Sequence, residues 1–434
     1  MLDNIQVTID GGFEVNYPRM FRVQQQFKRD AIQDIPAIVR QQFAREEIRS
    51  KLAPGMNVAI GVGSRGIAHL KQIVTAVVAE VKQSGGIPFI VPAMGSHGGA
   101  TAEGQRAVLA EYGITEEQVG CPIRATMETV QIGQLPDSGL PLYFDKYAYE
   151  SDAIIVIGRI KPHTDFKGPV ESGLQKMLVI GLGKHKGASS IHSNGVDRFF
   201  EVIPQAGKIL IEKTNVAMGI ALLENAYDET AQIIAVPAEK ICTEEPLLLQ
   251  KAKDSMAKLL LDTIDVLVID EFGKDISGAG MDPNVTGRTN MENVEGFDAP
   301  PIQKILVRDL TSPSHGNACG IGMADIITKR FYQKIDLTST YINTITSTTL
   351  ADGKIPLVFR NDLESLAIAV KSCVRIEYEK ARIVWIKNTL HLEHIYVSEP
   401  YLDYVRSRDD MALLEDVKEI RFDAEGNLTT QFLF

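Results

Sequence analysis

The central part of the chain alternates short apolar runs with segments of helical periodicity. The β-branched run at 57–62 predicts a strand, and apolar residues at three- and four-residue steps from Leu70 to Val81 predict a helix. Gly85-Gly86 ends this helix. Further strands are predicted at 87–91, 153–157, 177–180, 219–223 and 233–236, and a second helix at 102–112. Continuously apolar strands separated by helices are typical of a mostly parallel sheet covered on both faces.

The C-terminal part repeats this alternation after a polar, glycine-rich stretch at 271–290, which suits a functional loop or a crossover. Strands are predicted at 266–269, 305–307, 382–386 and 394–397, and helices at 243–261, 323–332 and 362–371. We therefore expect an α/β fold with two α/β domains, residues 1–265 and 266–434, with mostly parallel sheets and the active site in the cleft between them. The pattern leaves open whether helices cross between the domains.

Composition narrows the class of protein. The 434 residues include 45 Lys and Arg against 56 Asp and Glu, a net charge of −11, which argues against nucleic-acid and membrane-surface binding. The apolar runs are far shorter than the roughly 20 residues of a membrane-spanning helix. The four cysteines lie far apart, as is typical of reduced thiols. We expect a soluble, cytoplasmic protein.

Two histidines follow predicted strands. His97 lies in Met94-Gly-Ser-His-Gly-Gly-Ala100, and His163 lies in Lys161-Pro-His-Thr-Asp-Phe-Lys167. Ligands of open α/β sheets bind at the carboxyl ends of the strands, so the two imidazoles are candidates for a general acid and base. The alternative is that each caps a helix or bonds a carbonyl.

A lysine and a third histidine come next. Lys176 precedes the predicted strand at 177–180, where partial burial would favour a nucleophilic or covalent role. The commoner case is a lysine that extends to solvent from a strand edge. His192 has no second metal-binding side chain at the spacing that a helix uses for paired ligands. It is therefore either the single protein ligand of a metal that another group mainly holds, or a polar surface residue. Residues 184–186 (Lys-His-Lys) predict a solvated basic turn, with an anion-binding role as the alternative.

Two loops contain candidate anion ligands. Gly61-Val-Gly-Ser-Arg-Gly66 resembles a phosphate-binding turn with a helix N-terminus behind it, and Arg65 suits a carboxylate or phosphate. Arg288 ends a second polar loop, which is otherwise a surface loop stabilised by turns at Asp282 and Asn284. These features predict an α/β protein with an anion site, and they do not predict its reaction.

Together these segments resemble the lactate racemase family, whose members use a nickel-pincer nucleotide. His97 and His163, 66 residues apart, match the two catalytic histidines. Ser172-Gly173-Leu-Gln-Lys176 resembles the family's Ser-Gly-x-x-Lys segment, whose lysine bonds covalently to the cofactor. His192, 16 residues further on, matches the nickel-ligating histidine.

The resemblance extends to the two loops. Ser64-Arg65 matches the family's Thr-Arg step, and Gly280-Met-Asp-Pro-Asn284 resembles its Asp-x-Asn loop. The resemblance implies that Ser64, Gly66, Ser172 and Gly173 bind the cofactor. It also implies that Arg65 and Arg288 bind the substrate.

Three departures fall on the implied substrate pocket. Val62 replaces an Asp, Thr286-Gly287-Arg288 replaces Tyr-Gln and a lysine, and a short insertion separates His163 from Lys176. The resemblance therefore implies a racemase or epimerase that inverts C2 of a 2-hydroxy acid by reversible hydride transfer to the nickel-pincer nucleotide. The departures favour a substrate other than lactate, such as a longer hydroxy acid or a sugar acid.

The implied partners are a small 2-hydroxy acid and, transiently, the proteins that make the cofactor; a host without them would yield protein that lacks it. The oligomeric state stays open. Two other functions remain: a conventional oxidoreductase of a hydroxy acid, for which a complete GxGxxG motif is missing, and a non-catalytic protein that binds small anions.

Overall fold

The structure is a computed structural model that describes residues 7–64, 66–292 and 294–434. It contains two compact units. One is Lys28–Met256, and the other combines the chain before Lys28 with Ala257–Phe434. Each has its own buried apolar core.

The two kinds of regular element alternate through both units. The strands are β1 (Met20–Gln25), β2 (Asn57–Val62), β3 (Ile87–Pro92), β4 (Thr129–Gln134), β5 (Pro141–Asp145), β6 (Ala153–Arg159), β7 (Val216–Glu224), β8 (Thr230–Pro237), β9 (Ile264–Phe272), β10 (Ile302–Leu310), β11 (Ile326–Thr328), β12 (Leu357–Phe359), β13 (Ile383–Ile386), β14 (His394–Ser398) and β15 (Met411–Lys418). The helices are α1 (Ile35–Ala44), α2 (Glu46–Arg49), α3 (Leu70–Gln83), α4 (Ala102–Glu111), α5 (Glu116–Val119), α6 (Lys146–Tyr149), α7 (Leu174–Lys176), α8 (Lys184–His192), α9 (Phe199–Lys213), α10 (Ile241–Ser255), α11 (Pro283–Thr286), α12 (Lys329–Gln333), α13 (Leu337–Thr346), α14 (Asp362–Lys371) and α15 (Leu402–Arg406).

The unit Lys28–Met256 is built on a five-stranded sheet of order β3-β2-β6-β7-β8. The first four strands are parallel, and β8 is antiparallel to β7. Alternate residues of each strand enter different cores: Ile60 belongs to the same buried cluster as Val77 of α3, while Ala59 belongs to another cluster with Leu210 of α9. Because both faces are covered, the strands are apolar throughout, as the sequence predicts.

The other unit contains an eight-stranded sheet of order β12-β11-β10-β9-β13-β14-β1-β15. The five strands from β12 to β13 are parallel, and the remaining three are antiparallel. The N-terminal strand β1 pairs with β14 and β15, which is why the start of the chain belongs to this unit. The expected division into residues 1–265 and 266–434 differs from the observed units for this reason, and because the chain changes units at residue 257.

The predicted α/β class with mostly parallel sheets is confirmed, but two predicted elements are wrong. Residues 177–180 are not a strand; Met177–Gly181 forms a π-helical turn between α7 and α8. The predicted helix at 323–332 contains the short strand β11 before α12 begins at Lys329. Of the helices that the structure describes, none is both long enough and apolar enough to cross a bilayer.

Candidate functional site

The carboxyl ends of β2, β3 and β6 lie at one edge of the five-stranded sheet, because the three strands are parallel neighbours. Ser64 follows β2, His97 follows β3 and His163 follows β6. Strands in a sheet are about 4.8 Å apart, so the two histidine loops start about 10 Å from each other, with β2 between them. The sequence predicts this placement, and the strand order agrees with it.

A helical segment, residues 174–192, packs against this edge. A Cβ atom added at Gly63 would lie 3.0 Å from Cε of Met177, and one at Gly158 would lie 3.0 Å from Cγ of the same residue. The backbone N–H of Gly95 donates to the carbonyl oxygen of Gly181 at 3.0 Å. The segment therefore contacts the chain just after β2 and β3 and at the end of β6, and glycines at these points permit the approach.

The loop that carries His97 is fixed against α4. Gly98 has a φ of +64°, and a Cβ atom there would lie 2.5 Å from the backbone carbon of Gly104, so a side chain would not fit. The buried amide of Gln105 donates to the carbonyl oxygens of Gly95 at 2.9 Å and of His97 at 3.3 Å. His97 itself is exposed. The backbone around this histidine is therefore held while its ring reaches solvent.

His163 is half-buried beside an aromatic ring. Its Nδ1 accepts a hydrogen bond from the backbone N–H of Asp165 at 3.0 Å, and the ring centroid lies 4.4 Å from that of Phe166. In the neutral ring this contact places the proton on Nε2.

Lys176 is the last residue of α7, and its Nζ lies 5.5 Å from the centroid of Phe166. The first turn of α7 is held from behind by Glu245 of α10, whose Oε2 accepts from the backbone N–H of Gln175 at 3.0 Å. A Cβ atom at Gly173 would collide with Oε1 of Glu245. The Ser-Gly-x-x-Lys segment therefore needs glycine at its second position because a carboxyl group occupies that space.

His192 is the last residue of α8. Its Nδ1 lies 2.7 Å from the carbonyl oxygen of Ala188, and because a carbonyl only accepts, Nδ1 must carry the proton. Desolvation lowers the pKa of this histidine and outweighs the hydrogen bond with Ala188, which raises the pKa; the charge of Lys176 also lowers it. The ring is therefore neutral near pH 7, with its lone pair on Nε2.

Three of the predicted site residues meet around two phenylalanines. Phe166 contacts the ring of His163 and the ammonium of Lys176. Its centroid lies 5.4 Å from that of Phe199, which in turn lies 5.0 Å from the ring of His192. We call this group of five residues the Phe166 cluster.

The turn after β2 differs from the predicted phosphate-binding turn. Helix α3 begins only at Leu70, after His69 with a φ of +59°, so no helix N-terminus lies directly behind Gly66. Gly66 is exposed, and the carbonyl oxygen of Ser64 accepts from the hydroxyl of Tyr112 at 2.9 Å. Arg65 lies outside the described residues. Ser172 pairs with Lys161 through two backbone hydrogen bonds of 3.0 and 3.1 Å.

Arg288 belongs to the other unit, where its guanidinium binds four oxygen atoms. It pairs with Asp325 at 2.6 Å, and the other acceptors are the carbonyl oxygens of Met323, Ile302 and Gln303. In the same loop Asp282 caps α11 through the backbone N–H of Asn284, as the predicted turn requires.

The prediction of a solvated basic turn at 184–186 is wrong, because the three residues form the start of α8 and the first of them is buried. Lys184 is fully buried, with Nζ 3.1 Å from Oδ2 of the equally buried Asp145. His185 and Lys186 are exposed, as expected. Sequence reasoning also missed Glu171, Glu245 and Gln105, because their partners lie on other elements and leave no local signal. Among residues 7–64, 66–292 and 294–434, no three His, Cys, Asp or Glu side chains are grouped as a metal site.

These features define an α/β protein in which His163, His192 and Lys176 meet at the carboxyl edge of a parallel sheet. Residues 13–198 match the family model of the lactate racemase N-terminal domain, so this region of the chain is lactate racemase-like, as its motifs predict.

Among solved structures, the chain is similar to a Thermotoga maritima protein from the Northeast Structural Genomics Consortium, with 13% identity and a TM-score of 0.49 over 84% of this chain and 99% of that chain. The lactate racemase apoprotein from Thermoanaerobacterium thermosaccharolyticum gives 14% identity and a TM-score of 0.45 over 80% of this chain and 85% of that chain. No curated protein sequence matches the chain.

Proposed function

We propose that the protein is a racemase or epimerase that inverts C2 of a 2-hydroxy acid, with a nickel-pincer nucleotide bound covalently through Lys176. The observation that carries the proposal is the Phe166 cluster, which brings Lys176, His163 and His192 together within the lactate racemase-like region. A cofactor anchor, a metal ligand and one of the two bases are three of the groups that this chemistry needs.

The residues fit such a cofactor. His192 is neutral and keeps its Nε2 lone pair, because Nδ1 is committed to Ala188. One imidazole suits a nickel ion held mainly by a cofactor's own donor atoms. When bound, the cofactor would accept hydride from C2 of the substrate and return it.

The chain's own contribution is proton transfer at the substrate hydroxyl. His97 and His163 start from strands on either side of β2, so a substrate between them meets one imidazole on each side. Inversion needs a base for each enantiomer, which accounts for two histidines. In the tautomer described, Nε2 of His163 carries the proton, so His163 acts as a base only after the proton has moved to Nδ1 and the hydrogen bond from the Asp165 N–H has broken.

The remaining assignments belong to the same proposal. Ser64, Gly66, Ser172 and Gly173 bind the cofactor, and Arg65 binds the substrate carboxylate. Arg288 is the second proposed carboxylate ligand, and it must exchange at least one of its four oxygen partners to take that role. The proposed substrate is a hydroxy acid other than lactate.

The first test is the intact mass of denatured protein made together with the cofactor-biosynthesis proteins. Wild type and Lys186→Ala, a control at an exposed lysine, are expected to carry a nucleotide-sized adduct, and Lys176→Ala is expected to lack it. Wild type without an adduct, or an adduct that survives Lys176→Ala, overturns the proposal. A panel of hydroxy acids then tests the substrate, and lactate as the best substrate contradicts that part.

A further inference from the structure

Glu171 is a buried carboxylate in the loop between β6 and α7. Its side chain is fully shielded from solvent, yet it carries four contacts. Oε2 accepts the backbone N–H of His163 at 2.6 Å and lies 3.3 Å from Nζ of Lys167. Oε1 lies 2.6 Å from Nζ of Lys253, and the backbone N–H of Gly168 approaches it at 3.5 Å.

These contacts hold both polar backbone atoms of His163. The N–H donates to Glu171, while the carbonyl oxygen accepts from Nζ of Lys167 at 2.9 Å. Backbone hydrogen bonds between Lys161 and Ser172 also join the two ends of the loop. Because the two ends of the loop and the backbone at His163 are both fixed, the ring can move only about its own side-chain bonds.

Lys253 extends this arrangement beyond the loop. It lies on α10, a 15-residue helix that packs against the sheet through Leu248, Leu249 and Ala252. The pair between Lys253 and Glu171 therefore ties the His163 loop to a rigid element. A buried carboxylate also requires compensating cations, and Lys167 and Lys253 supply them.

We propose that Glu171, held between Lys167 and Lys253, is the positioning residue of His163. It touches neither substrate nor cofactor; it fixes the histidine backbone so that the ring stays within reach of the substrate hydroxyl. The catalytic part of this inference rests on the proposed function, whereas the positioning part does not. Glu171 and Lys167 lie between His163 and Lys176, where the resemblance to the lactate racemase family implies an insertion.

The first experiment measures amide hydrogen exchange at His163 by NMR in protein without cofactor. Glu171→Ala is expected to speed this exchange by about 100-fold, because the N–H loses its acceptor. Glu171→Gln keeps an oxygen acceptor and is expected to retain most of the protection. Lys253→Met should fall between them, and Lys251→Met, at an exposed lysine of the same helix, should match wild type. Unchanged exchange in both Glu171→Ala and Lys253→Met overturns the proposal.

The second experiment uses the cofactor-loaded enzyme. Glu171→Ala is expected to lower kcat by about 100-fold with KM within about twofold, while the adduct on Lys176 remains. Glu171→Gln should restore most of the turnover. Equal losses in Glu171→Ala and Glu171→Gln contradict a positioning role. If wild type lacks the adduct and turnover, the proposed function fails, while the exchange experiment still decides whether Glu171 positions His163.

Discussion

At the residue scale, the buried side chain of Glu245 constrains the structure of a neighbouring segment. It shapes the Ser-Gly-x-x-Lys segment by occupying the space beside Gly173 and by accepting the N–H of Gln175. Its Oε1 is buried without a hydrogen-bond partner, and burial raises the pKa of this carboxyl group from 4.5 to about 7. The folded protein therefore binds this proton more tightly than the unfolded chain.

The raised pKa of Glu245 makes the free energy of unfolding depend on pH. Below about pH 4.5 the protonated Glu245 makes its full contribution to the free energy of unfolding. This contribution is lost as the pH rises through 7, because the buried carboxyl group must then ionise. Urea unfolding of wild type and Glu245→Gln at pH 5 and pH 8 checks this. We expect the stability of wild type relative to the variant to fall by about 2–3 kcal/mol over that range.

The neighbouring Glu244 gives the matched control for this measurement. Glu244→Gln changes the same functional group at a half-buried position on the same helix. Its stability should follow that of wild type at both pH values. A Glu245→Gln variant that also follows wild type would show that Glu245 titrates normally.

At the scale of elements, Lys184 fixes the start of α8. Its Nζ donates to the carbonyl oxygen of Pro92 at 2.5 Å and to Oε1 of Gln105 at 3.1 Å, and it pairs with Asp145. Burial lowers the pKa of Lys184 and raises the pKa of Asp145, while each charge favours ionisation of the other. One side chain thus joins α8 to β3, to α4 and to the end of β5.

Lys184→Met should destabilise the fold by about 3–5 kcal/mol, because it leaves the Asp145 carboxyl group buried without its cation. Asp145→Asn keeps the cap on Ala148 and removes the opposite charge. The free energy of unfolding in urea is measured for the two single variants and the double variant. The double variant should lose less stability than the sum of the two single losses. Additive losses would argue against a coupled pair. Lys186→Met, at the exposed position two residues on, should stay within about 1 kcal/mol of wild type.

At the scale of the whole molecule, the N-terminal strand completes the sheet of the other unit. Val23 of β1 is fully buried and pairs with Ile395 and Leu413. The chain's single tryptophan, Trp385, lies on β13 of the same sheet. Its fluorescence therefore reports on the unit to which β1 belongs.

Val23→Asp should lower the stability followed by Trp385 fluorescence in urea by about 3–5 kcal/mol, because a carboxylate would be buried without a partner. Val417→Asp makes the same change on the edge strand β15, where the side chain is 50% exposed. This control should stay within about 0.5 kcal/mol of wild type. Equal effects of the two changes would contradict the burial of β1 between β14 and β15.

The sequence by itself determined the α/β class, the runs that form β2, β3 and β6, and the helix α14. Apolar periodicity and glycine positions are local signals, and each needs only a few neighbouring residues. The placement of His97 and His163 after strands was predictable for the same reason, since carboxyl ends of parallel strands share an edge.

Only the tertiary structure decided the rest. Met177–Gly181 is apolar like a strand but helical, because it is surrounded by strand ends and α9, and a segment buried on several sides loses the periodicity that distinguishes the two. The burial of Lys184, the contact of Glu171 with Lys253 and the pairing of β1 with β14 join residues far apart along the chain. Such contacts depend on which elements pack together, and no short stretch of sequence contains that information.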